Sequence, residues 1–155
     1  MSKNNWRMGL LLASAASCAL VAVGSAAATP ASSDVSIVLT QDAATYDTIG
    51  WSATGSVLSG EGTWAKGLIR FHGGTGTAIF AGTIQTTMTN RAGTGSFRMN
   101  FQGLGNGATG VFSGTWQIGS GTGVYAGPHG TGTWFEDDSN PGLFVFPCQG
   151  RIHVD

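Results

Sequence analysis

The sequence predicts an all-β fold of about eight antiparallel strands wound into an up-and-down barrel, with a two-sheet sandwich as the alternative. Short runs alternate apolar and polar residues, as in Phe97, Met99 and Phe101 against Ser96, Arg98, Asn100 and Gln102. That period of two is the signature of a half-buried strand. Glycine supplies 26 of the 155 residues and punctuates these runs at turn spacing. No convincing helical pattern follows the N-terminal leader. One apolar face per strand implies a sheet that curls over its own core, and closing it removes the exposed edges.

The leader comes first. Lys3 and Arg7 precede an apolar run from Met8 to Val23, closed by Gly24-Ser25-Ala26-Ala27-Ala28. A positive head, an apolar middle and an Ala-x-Ala end predict a secretory signal peptide over residues 1–28. A retained membrane anchor fits less well, because the apolar run is short and no charged stop follows. Lipidation at Cys18 would need a leucine-like residue where Ala15 stands. The expected location is therefore secreted or periplasmic, with no stable membrane anchor. Residues 29–33 form a loose lead, and residues 34–155 form a single domain.

Along that domain, Val35, Ile37 and Leu39 mark a first strand and Trp51 to Leu58 a second. In Glu61 to Phe71, Trp64 shares its face with Lys66, Leu68 and Arg70, while Ile69 and Phe71 take the other. A bulge near Gly67 would restore the phase. Phe80, Gly82, Ile84 and Met88 share a face of the fourth strand. Phe97 to Phe101 make the fifth, with Gly103 to Gly107 expected to turn. In the sixth, Phe112, Gly114, Trp116 and Ile118 oppose Ser113, Thr115 and Gln117. A short seventh strand carries Thr133 and Trp134. Asn140-Pro141-Gly142 is expected to form a type II turn into an eighth strand, where Phe144, Phe146 and Cys148 share a face and Pro147 predicts a bulge or an unpaired position. Three pentapeptides resemble one another: Gly60-Glu-Gly-Thr-Trp64, Phe112-Ser-Gly-Thr-Trp116 and Gly130-Thr-Gly-Thr-Trp134. Their unequal spacing excludes a solenoid or propeller and suggests one device for bending a strand, used repeatedly.

Composition excludes several classes of function. Without the leader, the basic residues are Lys66, Arg70, Arg91, Arg98 and Arg151, against eight acidic ones. A mildly acidic chain with no basic run is a poor match for nucleic acid or an anionic membrane surface. Cys148 is the only thiol outside the leader, so no intramolecular disulfide is expected. His72, His129, His153 and Cys148 lack metal-ligand spacing, and Glu136-Asp137-Asp138-Ser139-Asn140 lacks the alternating acids of a calcium loop. Gly121-x-Gly123 is not followed by the third glycine and helix of a dinucleotide site. Neither a cofactor nor a metal is expected. Cys148, on an apolar face, is expected to be a buried, inert thiol.

One stretch resembles a known family. Gly121-Thr-Gly-Val-Tyr-Ala-Gly127 followed by Gly130-Thr-Gly132 is similar to the GTGxYxG..G.G signature of allene oxide cyclase-like barrels. That group includes the plant cyclases, the dirigent proteins and many small secreted bacterial proteins. The close match covers Thr109 to Glu136. The resemblance implies an antiparallel barrel with an apolar cavity, often oligomeric; in the plant cyclases the cavity holds a fatty-acid epoxide and its shape steers ring closure.

The aromatic set is the candidate site. Trp64, Phe80, Phe97, Phe101, Trp116, Phe144 and Phe146 are expected on one side of the sheet, either filling the barrel or walling a ligand pocket. Tyr125 and His129 are expected at its rim. The leading expectation is an exported barrel that binds a small apolar, lipid-like molecule. The alternatives are a cofactor-free isomerase or cyclase, with Glu61, Glu136 or His129 moving a proton, and a ligand-free extracellular structural protein that uses its outer Thr/Gln face.

Overall fold

A computed structural model describes residues 31–72, 79–106 and 108–154; at Phe71, His72, Ile79 and Phe80 it describes the backbone alone. The expected leader lies outside these residues. The strands are β1 (Ser33–Asp42), β2 (Thr48–Gly55), β3 (Gly60–His72), β4 (Ile79–Asn90), β5 (Gly95–Asn106), β6 (Val111–Gly123), β7 (Pro128–Phe135) and β8 (Leu143–Val154). They pair in chain order, every neighbour antiparallel, and β8 returns to β1 to close a barrel. Barrel and sandwich share one periodicity, and the ten-residue ladder from Ser33↔Ile152 to Asp42↔Leu143 decides for the barrel.

The alternation sets which side chains fill the lumen. Phe97, Met99 and Phe101 are buried, while Arg98, Asn100 and Gln102 are exposed; Trp116 and Ile118 are buried between exposed Thr115, Gln117 and Gly119. In β3 the register shifts between Lys66 and Ile69. That is the expected bulge; Leu68 and Ile69 are both exposed, and it is Ile69 that lines the cavity with Trp64 and Lys66. Two strands outrun their expected ends. β5 continues through Gly103 to Asn106, and β6 runs through Gly119 to Gly123, so the β6–β7 connection is only Val124 to Gly127. Glycine hides such extensions because it adds no side chain to the alternation.

The repeated pentapeptides share one geometry. A Cβ on Gly62, Gly114 or Gly132 would strike the carbonyl oxygen of Thr89, Gln102 or Gln149 on the neighbouring strand. Glycine there lets the backbones approach where the barrel wall bends. Two residues on, each tryptophan sends its indole N–H to a backbone carbonyl: Trp64 to Thr40 at 2.9 Å, Trp116 to Thr133 at 3.1 Å and Trp134 to Gln102 at 3.1 Å. An unpaired N–H in the lumen would cost about 1–3 kcal/mol, so the acceptor fixes where each ring lies.

Near the β7–β8 turn one expectation changes and another resolves. The Leu143 N–H donates to the Asn140 carbonyl at 3.1 Å, but Gly142 is absent from the glycines with positive φ, so the turn is not type II. Of the two alternatives expected at Pro147, the unpaired position is the one found, without a bulge. β8 stays in register with β1 through Val38↔Pro147, and its pairing with β7 ends at Trp134↔Cys148. On that side no ladder remains for the missing N–H to break.

Candidate functional site

The lumen divides into a sealed half and an open half. At the end formed by the β2–β3, β4–β5 and β6–β7 turns, the Trp51, Phe97 and Tyr125 rings meet edge to face, with centroids 5.1, 5.9 and 5.2 Å apart. Trp51 donates its indole N–H to the Thr89 carbonyl at 3.0 Å. Gly60, at φ +136°, faces the Tyr125 hydroxyl closely enough that a Cβ would sit 2.6 Å from it. Burial raises the Tyr125 pKa, with a smaller opposing effect from Asn90. Around and below this plug, Ile37, Leu58, Met88, Met99, Trp116, Ile118, Cys148 and Ile152 are almost wholly buried.

Toward the other end the packing of the described side chains stops. A cavity of about 610 Å³ opens there, walled by Trp64, Ile84, Phe101, Phe112, Trp134, Phe144 and Phe146, with Tyr46 at its edge. Sites for small molecules span roughly 300–1,000 Å³, so it has room for one such ligand. The space exists because inward positions at this end carry Gly82, Gly103 and Gly105, all of which line it. Trp134 leans into part of the room that Gly103 leaves and meets Phe101 and Phe146 edge-on at 6.0 and 6.2 Å. A second depression, of about 630 Å³, lies on the outer face among Thr83, Gln85, Asn100, Gln102, Thr115 and Gln117. It is slightly larger, but its rim is the barrel's solvated polar belt rather than an apolar enclosure.

Among the described residues, polar groups at the mouth are few and specifically placed. Tyr46, in the β1–β2 turn, has φ 60°, a conformation costly for a residue with a side chain. Its carbonyl accepts from Gln41 Nε2 at 2.6 Å and from Lys66 Nζ at 2.9 Å, while its ring packs 5.7 Å from that of Phe144. Lys66 also lies 5.9 Å from the Trp64 ring centroid. Burial lowers its pKa, with Asp47 acting in the opposite direction. On the far wall stands Glu136, whose backbone N–H donates to the Phe112 carbonyl at 2.9 Å. Its carboxyl pKa is raised, first by burial and then by the charge of Asp138.

The sequence-predicted residues therefore separate. Trp64, Phe101, Phe144 and Phe146 meet around the cavity. Phe97 and Tyr125 belong to the opposite plug, so Tyr125 is not at the rim. Trp116 is 1% exposed in the packed middle of the barrel. His129 is not at the rim either. It lies beside His153 on the adjacent strand, with ring centroids 5.8 Å apart, while its neighbour Gly130 faces inward against Ile152. The side chain of Phe80 lies outside the described residues. Of the proposed proton carriers, Glu61 is exposed and paired with Arg91 at 2.8 Å near the sealed end, so only Glu136 reaches the cavity. Sequence reasoning missed Tyr46, Gln41, Lys66 and Trp134. No group of His, Cys, Asp and Glu among the described residues could hold a metal ion.

Cys148 is fully buried, and burial pushes its thiol pKa from 9.0 up to about 12. Folding therefore favours the neutral thiol; the fold keeps this contribution below pH 9.0 and loses it as the pH rises toward about 12. Iodoacetamide at about pH 8 is expected to leave Cys148 unmodified in the native protein and to alkylate it in urea, because the thiolate is the reactive form. Peptide mapping reads the outcome, and fast native labelling of Cys148 would contradict its burial.

These features define a class: a closed, eight-stranded antiparallel up-and-down barrel, sealed at one end and open at the other into an aromatic cavity. No family model matches the chain, and comparison with curated proteins and with solved structures likewise finds no match.

Proposed function

We propose that this protein is an exported barrel that binds a small apolar molecule in the open half of its lumen. The observation that carries the reading is the cavity of about 610 Å³, walled by Trp64, Phe101, Trp134, Phe144 and Phe146. An apolar ligand there removes both its own surface and these rings from water, worth about 25 cal/mol for each Å² buried. The likeness of Gly121–Gly127 to the allene oxide cyclase-like signature supports the same reading, since barrels of that group carry apolar cavities. Native mass spectrometry of the protein after incubation with lipid extracts tests it. A discrete added mass is expected, and an apo mass with every extract overturns it.

Glu136 favours a second reading, a cofactor-free isomerase or cyclase. Its carboxyl borders the cavity, and burial together with Asp138 raises its pKa; a carboxyl so placed can give or take a proton. The walls would hold a reactive substrate in a productive shape. Turnover of an unstable epoxide, lost in Glu136→Gln, supports this reading; equal product from protein and buffer rules it out.

A further inference from the structure

We infer that the cavity selects an amphipathic amine, an apolar body carrying a protonated ammonium group that rests against Glu136. This rests on the proposed binding function and adds the chemistry of the head group. Among the described residues, the charges lining the cavity are Lys66, Glu136 and Asp138, and they are not equivalent. Lys66 is already engaged: its ammonium donates to the Tyr46 carbonyl at 2.9 Å, lies over the Trp64 ring and has Asp47 as its charged neighbour. Glu136 has no such counterpart. Its carboxylate is half-buried on the cavity wall, no hydrogen bond or ion pair joins it to another described side chain, and the like charge of Asp138 acts on it. A half-buried charge without a partner gains most from a ligand that brings the opposite charge.

Two further features point the same way. The open end gathers Asp42, Asp47, Glu136, Asp137 and Asp138 against Lys66 and Arg70, whereas Arg91, Arg98 and Arg151 lie toward the sealed end with Asp34 and Glu61. The field at the mouth therefore favours cations, and a cleft with apolar walls focuses it. The walls themselves suit a cation as well as an alkyl chain, because the indole and phenyl faces of Trp64, Trp134 and Phe146 are negative above the ring. A carboxylate ligand meets the opposite situation: Glu136 and Asp138 repel it, and Lys66, the one cation among the described lining residues, already gives a donor to the Tyr46 carbonyl.

Decylamine, decanol and decanoate share one chain and differ in head charge, so calorimetric titration of all three separates the contributions. Decylammonium is expected to bind at least about tenfold tighter than decanol, with decanoate weakest. Glu136→Gln is expected to abolish the preference for the amine over decanol; Lys66→Gln is expected to keep it. Equal affinities, a preference for decanoate, or a preference that survives Glu136→Gln would each overturn the amine assignment and leave apolar binding intact. No binding of any of the three would overturn both.

Discussion

Replacing Trp116 with alanine is expected to destabilise the barrel by about 3–5 kcal/mol, the range for emptying a buried large aromatic site. Trp116 is 1% exposed, and its surroundings leave no route for collapse. A Cβ on Gly132 would lie 2.6 Å from its indole, and one on Gly150 would lie 2.5 Å away; β7 and β8 thus carry glycine where the ring rests. The strands that flank the void are held in the closed ladder, with Trp116↔Phe101 on one side and Trp116↔Gly132 on the other, so the wall does not move in. Truncation also leaves the Thr133 carbonyl without the 3.1 Å indole bond. Domains of this size are stable by about 5–15 kcal/mol, which makes the loss roughly a fifth of the total or more. Urea unfolding followed by circular dichroism is expected to show the midpoint fall by about 2 M, given slopes of about 1–3 kcal/mol/M. Trp116→Phe keeps most of the ring and forfeits the N–H, so it is expected to fall between the two. A midpoint within error of the parent protein for Trp116→Ala would mean that the middle of the barrel is not packed around this ring.

The same ring shows how far alignment of faces carries and where it stops. Alternation assigns Trp116 to the lumen because Phe112, Gly114 and Ile118 share its side, and the conflicting phases of Trp64 and Ile69 locate the bulge in β3. Both follow from the side-chain period of a strand. Height along the barrel axis is a different quantity. Phe97 and Phe101 share a face but stand four residues, about 13 Å, apart, so one caps the sealed end while the other walls the cavity. The inward series Phe97, Met99, Phe101, Gly103, Gly105 loses bulk toward the open end, and that gradient is the sequence signal for the cavity. It goes unread when Gly103 to Gly107 is taken as a turn. Tyr125 and Tyr46 carry no periodic signal because both lie in turns. The first is folded back onto Phe97 at 5.2 Å and the second is held at φ 60° by donors from β1 and β3. Gly-x-Tyr within the family-like signature therefore closes the barrel and does not guard its mouth.

Because the cavity is made by glycines, adding volume is expected to remove it without unfolding the wall. Ile84 is the position to fill: it is half-buried in β4, lies between Ile69 and Phe101 in the ladder and lines the cavity. Ile84→Trp directs an indole into space that water or ligand otherwise occupies. It does not press on packed atoms as a larger residue at Ile37 or Met88 would, both of which are 0% exposed. Its cost in stability is therefore expected near or below the low end of the about 1–3 kcal/mol seen for overpacking. Binding, in contrast, is expected to weaken at least about a hundredfold for decanol, or about 2.7 kcal/mol, because the added ring and the ligand compete for one volume. Thr115→Trp places the same ring on the exposed outer face of β6 and is expected to leave decanol affinity unchanged. Titration of the three proteins with decanol separates the sites. If Ile84→Trp binds as tightly as the parent while Thr115→Trp does not, the apolar ligand sits in the outer depression among Gln102, Thr115 and Gln117. The lumen would then be wall rather than vessel.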